Sequence, residues 1–95
     1  MDSQFVTVGS NTLIGLDVAV LPHALEGSRA AHYPITIGSN VTIGARALIM
    51  AGVVIGDGAV VAMNSVVTKN THIGANEIWG GIPARCLKKP EPAGS

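Results

Sequence analysis

Large rings are nearly missing from this chain: one Phe, one Trp and one Tyr make up 3% of its 95 residues. The apolar share, 47%, is therefore almost entirely aliphatic and small. That excludes a core organised around aromatic anchors and favours a narrow interior filled by repeated layers. Cysteine is reduced to Cys86, so neither an internal disulfide framework nor a metal-binding Cys pair is available, and the thiol fits a reducing compartment. Neither charge sign is in excess, with six basic residues against six acidic ones. Without a basic field the chain has nothing to gather nucleic acid or anionic lipid. Long apolar runs are also missing: the longest, Ala47 to Ile55, is about half of a membrane helix. The N-terminus has neither the basic start nor the apolar stretch of a signal peptide. These absences predict a soluble, cytoplasmic protein with no membrane partner. At this length it is one domain, which alone buries only a modest part of its surface.

What the chain does have is a period. Aliphatic residues recur every six positions at Ile37, Ile43, Ile49, Ile55, Val61, Val67 and Ile73 without a miss. The residue after each is usually small, as in Gly38, Gly44, Gly56, Ala62 and Gly74, and the fifth is small or β-branched, from Val41 and Ala47 to Ser65 and Thr71. Val8, Ile14 and Val20 keep the same spacing earlier in the chain. Six-residue spacing drifts around a 3.6-residue helix and makes no stripe, and longer hairpins would need period-two alternation, which is absent. The pattern predicts a short strand, a corner and another short strand, with the aliphatic residue pointing to the axis and the small one letting the backbone turn.

Three units close one triangular coil of about 18 residues, and stacked coils pair their backbone groups with one another. Ile37, Ile55 and Ile73 should stack on one wall, Ile43 and Val61 on a second, Ile49 and Val67 on the third. The fold class expected is all-β, a parallel β-helix of about three to four short coils. Val20 to Ile37 is 17 residues rather than a multiple of six. That slip locates an insertion of about 11 residues over roughly Glu26 to Thr36, in a loop spanning about 23–36. Loops on such a scaffold carry chemistry or partner contacts. The domain is read as residues 1–89, leaving the repeat after Ile78, with a flexible tail over 90–95.

Residues just before the inward aliphatics point outward, and Leu13, Leu48, Val54, Val60 and Val66 are apolar. Burying them against a neighbour is worth about 25 cal/mol per Å². A homotrimer of triangular columns uses flat walls well, although a dimer or end-to-end stacking satisfies the same geometry.

The stretch PITIGSNVTIGARALIMAGVVIGDGAVVAMNSVVTKNT, Pro34 to Thr71, resembles the left-handed β-helix hexapeptide acyltransferases, especially the galactoside and maltose O-acetyltransferase branch, and GGIPAR, Gly80 to Arg85, resembles their closing element. The resemblance implies a left-handed coil, although ordinary parallel crossovers are right-handed. It also implies transfer of an acetyl group from acetyl-CoA to a small-molecule acceptor, at a site between subunits of a trimer.

His23 matches the family's general base, since it stands at the exit from the first coil ahead of the loop. A neutral imidazole with a pKa near 6.5 can take the proton of an attacking hydroxyl, and Asp17 or Glu26 would orient it. His32, in AHYP, is the second candidate and reads as a residue that positions the loop. Thr68 and Lys69 match the VTK segment beside the pantetheine and phosphate portions of the cofactor, where Lys69 offers a point charge. Ala45 and Ala62 fall where small residues let the cofactor arm lie along the wall. Arg85, with Lys88 and Lys89, is placed to meet the nucleotide phosphates or to form a solvated basic tail.

Two departures weigh against a simple transfer of function. Thr42 stands where the branch commonly has Trp, and Met63 with Asn64 replaces a small pair near the cofactor arm. HYP together with IWGGIPAR also resembles the γ-class carbonic anhydrase-like proteins, but zinc hydration needs three converging imidazoles, and His23, His32 and His72 lack the close pair such sites use. No metal is expected. The non-enzymatic alternative is a minimal trimeric scaffold.

Overall fold

The computed structural model describes residues 6–21, 23–26 and 29–90, and of 23–26 and 29–32 the backbone path alone. The described residues form fourteen strands and no helix. The first coil is β1 (Val6–Val8), β2 (Leu13–Ile14) and β3 (Ala19–Val20), followed by an outgrowth of β4 (His23–Glu26) and β5 (Arg29–His32). The second coil is β6 (Ile35–Ile37), β7 (Thr42–Ile43) and β8 (Leu48–Ile49), and the third is β9 (Val54–Ile55), β10 (Val60–Val61) and β11 (Val66–Val67). A closing part follows in β12 (His72–Ile73), β13 (Ile78–Gly81) and β14 (Ala84–Lys88).

Three walls result, ordered β1-β6-β9-β12, β14-β13-β10-β7-β2 and β11-β8-β3. All wall pairings are parallel except the last, β13 with β14. Ile37 pairs with Ile55 and Ile55 with Ile73, Ile43 with Val61, and Ile49 with Val67, which are the three stacks the spacing predicts. Their side chains are at most 2% exposed and form one continuous core. Val8 and Ile14 occupy the same inward position, yet stay 43% and 46% exposed, because among the described residues no coil lies beneath the first.

The corners explain why the period is six. At the end of each two-residue bend the backbone enters the left-handed region, with φ of 58 to 64° at Asn11, Asp17, Asn40, Arg46, Asn64, Asn70 and Asn76, and 73 to 75° at Gly52 and Gly58. Asn, Asp and Gly tolerate this conformation because a short polar side chain or none avoids the Cβ clash. Eight of these nine positions carry one of those three residue types.

Two boundaries differ from the spacing argument. Ile35 is fully buried and opens β6, so Ile35 and Thr36 belong to the wall rather than to the loop of about 23–36. The chain also does not leave the repeat at Ile78. Ile78 and Trp79 pair with Val60 and Val61, six residues beyond the last aliphatic, and Trp79 packs against the core from the inward position. An indole fits there because β14, antiparallel to β13, follows it, and among the described residues no further coil has to nest on it. Aromatic size hid this eighth unit from an aliphatic pattern.

The Trp79 indole N–H donates to Glu77 Oε1 at 3.0 Å, and the same oxygen accepts the Gly74 backbone N–H at 2.7 Å. The indole bond, then the amide bond, hold the Glu77 carboxyl below its ordinary pKa, with Lys89 assisting. A depressed folded-state pKa means the unfolded chain binds the proton more readily, so this contribution is complete above the ordinary carboxylate range and lost as the pH falls through the folded value. Glu77→Gln is expected to lower the melting temperature near neutrality and to flatten its fall on acidification, measured by thermal unfolding between about pH 3 and pH 7. An unchanged acid limb would remove Glu77 from the closing network.

Candidate acyl-transfer site on two edges of the column

The walls meet at three edges, numbered here in the order the chain meets them. The first edge follows the β1 wall, the second follows the β2 wall, and the third follows the β3 wall and leads back to the first wall. The outgrowth springs from the third edge, between the first and second coils. It is an antiparallel hairpin in which His23 faces His32, Ala24 faces Ala31, Leu25 faces Ala30 and Glu26 faces Arg29. The two candidate histidines therefore share one cross-strand register position at the base of the hairpin. Their side chains lie outside the described residues.

Along the same edge, one and two coils further on, come Ala51–Gly52 and Lys69–Asn70. The Gly52 N–H donates to the Tyr33 carbonyl at 3.2 Å and the Asn70 N–H to the Ala51 carbonyl at 2.9 Å. The Lys69 ammonium lies 4.7 Å from the centroid of the Tyr33 ring, a cation–π contact. The Thr68 and Thr71 hydroxyls are 3.2 Å apart across the bend. His23, Thr68 and Lys69 thus lie on one edge, and Tyr33 ties the hairpin base to Lys69. Sequence reasoning passed over Tyr33, although its place between His32 and Pro34 in HYP was a visible signal.

The second edge carries the other candidates. Ala45 sits at its second-coil corner, where its carbonyl accepts the Asn64 N–H at 2.9 Å. Ala62 sits one coil further along and donates its N–H to the Trp79 carbonyl at 2.8 Å. Gly80 stacks on Ala62: a Cβ at Gly80 would stand 3.0 Å from the Ala62 methyl. Arg85 pairs with Gly80 across β13 and β14 and is exposed. Met63 is 67% exposed beside Ala62, and Ser65, fully buried, accepts the Gly81 N–H at 3.2 Å.

Ala45, Ala62 and Arg85 therefore do not meet His23, Thr68 and Lys69 within one chain, because the β3–β8–β11 wall separates the two edges. Asp17 follows β2 and lies on the second edge, away from the hairpin of its own chain, and Glu26 is at the far end of β4 from His23. His72 is exposed on the first wall. Among the described residues no three His, Cys, Asp or Glu side chains are gathered as metal donors.

A family model described as the hexapeptide repeat of succinyl-transferase matches residues 34–69. A comparison with curated proteins finds no significant match. Among solved structures, a hexapeptide-repeat acetyltransferase from Vibrio cholerae O1 biovar eltor complexed with acetyl coenzyme A is similar over 92% of this chain and 50% of that one, with 33% identity and a TM-score of 0.81. A galactoside acetyltransferase in complex with coenzyme A is similar over 88% and 44%, with 36% identity and a TM-score of 0.80. A maltose O-acetyltransferase from Clostridium difficile 630 is similar over 92% and 60%, with 27% identity and a TM-score of 0.76. The chain spans about half the length of the first of these. By its repeat and its fold, the chain is a hexapeptide-repeat β-helix of the kind found in the hexapeptide-repeat acetyltransferases, galactoside and maltose O-acetyltransferases among them.

Proposed function

We propose that this chain is an acyl-CoA-dependent acyltransferase, with acetyl-CoA as co-substrate and a small-molecule acceptor, working between the subunits of a homotrimer. The observation that carries the reading is the division of the candidate residues between two edges that one wall keeps apart. A threefold assembly joins unlike surfaces of neighbouring columns, and one with the β3–β8–β11 wall toward the axis would bring the second edge of one against the third edge of the next. Each groove would then hold Ala45, Ala62 and Arg85 from one subunit and His23, Thr68 and Lys69 from its neighbour. Two of the similar structures hold acetyl coenzyme A or coenzyme A, which supports the choice of donor.

In such a groove the small side chains of Ala45 and Ala62 leave room for the pantetheine arm. Lys69, held over the Tyr33 ring, offers a point charge to a phosphate at little ordering cost. His23 takes the proton of the acceptor hydroxyl or amine as that atom bonds to the thioester carbonyl carbon. The carbon–sulfur bond then breaks, and the departing coenzyme A thiolate receives a proton. The reading carries a cytoplasmic location, where a lone Cys86 stays reduced.

Acetyl-CoA at about 100 times its Kd is expected to stabilise the protein by about 2.7 kcal/mol, seen as a rise of several degrees in melting temperature, and sedimentation should give a trimer. A trimer with no shift at saturating acetyl-CoA would favour the non-catalytic scaffold. A shift with zinc instead would favour the carbonic anhydrase-like alternative.

A further inference from the structure

Among the described residues Arg46 is the one corner residue that breaks the chemistry of the corners. Its φ is 64°, in the left-handed region that is costly for an ordinary L-residue. Every other such bend carries Asn, Asp or Gly. Strain held at one place while its equivalents are relaxed points to a role there. Arg46 is exposed, and its backbone N–H donates to the Leu16 carbonyl at 2.8 Å. The second-edge corner of the second coil therefore rests directly on that of the first.

That contact sets its height. The hairpin leaves the first coil after β3 and enters the second at β6, so it stands at the same level of the column as Leu16 and Arg46, but on the third edge. A threefold axis running along the columns preserves height. Under the trimer reading proposed above, on which this step rests, the guanidinium edge of one subunit thus lies level with the neighbour's His23 hairpin. Arg85, in β14, is three strands beyond β7 along the same wall, at the opposite end of the groove.

We infer that Arg46 binds an anionic group on the acceptor, so that the preferred acceptors carry a phosphate or carboxylate beside the hydroxyl or amine that is acylated. The guanidinium suits both groups because its fork of N–H donors matches their paired oxygens. Asp17 stands one coil below on the same edge and makes a binding site selective, since a ligand must present its charge away from that carboxylate. The competing account is structural: Arg46 is kept because pairing with Asp17 offsets its strain.

Isotope-labelled protein saturated with coenzyme A, so that cofactor phosphate contacts are filled, is titrated at constant ionic strength with glucose 6-phosphate, glucuronate and glucose, wild type beside Arg46→Asn. The charged sugars are expected to bind at least tenfold tighter than glucose, with saturable shifts at the Arg46 Nε–H signal and the Asn64 amide. Arg46→Asn should abolish that preference while raising the melting temperature. Equal or undetectable binding of charged and neutral sugars by the wild type would overturn the inference, as would an unchanged preference in the variant. A lower melting temperature for Arg46→Asn with binding intact would assign the residue to pairing with Asp17. Failure of the transferase reading appears separately, as absent coenzyme A binding in the first titration, after which the sugars are titrated into the cofactor-free protein with the same criteria.

Discussion

His23→Ala is expected to lower acyl transfer by about 10²-fold or more, the usual order for losing a general base, while coenzyme A affinity is retained. The retention matters as much as the loss. His23 lies at the hairpin base on the third edge, whereas Ala45, Ala62 and Arg85 lie on the second, so in the proposed groove removing the imidazole should leave the second-edge contacts untouched. The rate of the wild type should rise with pH as the general base loses its proton, and the variant should lose that limb. His32 faces His23 across the hairpin, so His32→Ala is the necessary comparison: as a positioning residue it should cost less in rate and leave the pH limb in place. Unchanged turnover in His23→Ala would remove this residue from the chemistry.

Gly44→Ala is expected to destabilise the fold by about 3 kcal/mol or more, a large part of the ordinary 5–15 kcal/mol of a domain, while Gly74→Ala at the same place in the repeat should be mild. An added Cβ at Gly44 would press on the Met63 backbone N, with the Met63 Cα at 2.7 Å and the Ala62 carbonyl carbon at 2.9 Å. Those atoms belong to the next coil, held by the bond from the Gly44 N–H to the Val61 carbonyl at 2.8 Å, so relief means prising coils apart. At Gly74 the nearest atoms are those of the Glu77 carboxylate at 2.9 to 3.0 Å, which can shift at the expense of its bonds to the Gly74 N–H and the Trp79 indole without parting two coils. Chemical denaturation of the two variants measures the difference. Comparable losses at both positions would mean that coil stacking is not what requires the small residue.

Much of the column was legible before any coordinates. The run from Ile37 to Ile73 names its own stacks, since a strict period of six admits few ways to bury one residue in six. The corners were placed less well: the turn was expected at the small residue after each aliphatic, such as Gly44, whereas the left-handed φ falls two positions later, at Asn40, Arg46, Gly52, Gly58, Asn64, Asn70 and Asn76. Trp79 was harder: it continues the inward series, but an indole does not resemble an isoleucine until one sees that the antiparallel β14, rather than another coil, lies beyond it. The hairpin was foreseen only as a length. Whether inserted residues pair with one another depends on contacts that no period records.

The amino-acid sequence alone determined the repeat, the three walls and the residues that fill them, because periodic burial is a local rule repeated many times. Tertiary structure decided which candidates share an edge. Positions 45 and 69 lie one wall apart in a triangular coil, while Tyr33 and Lys69, 36 residues apart in the chain, meet at one corner. Winding turns distance along the chain into height and edge, and the groups available to one substrate depend on both.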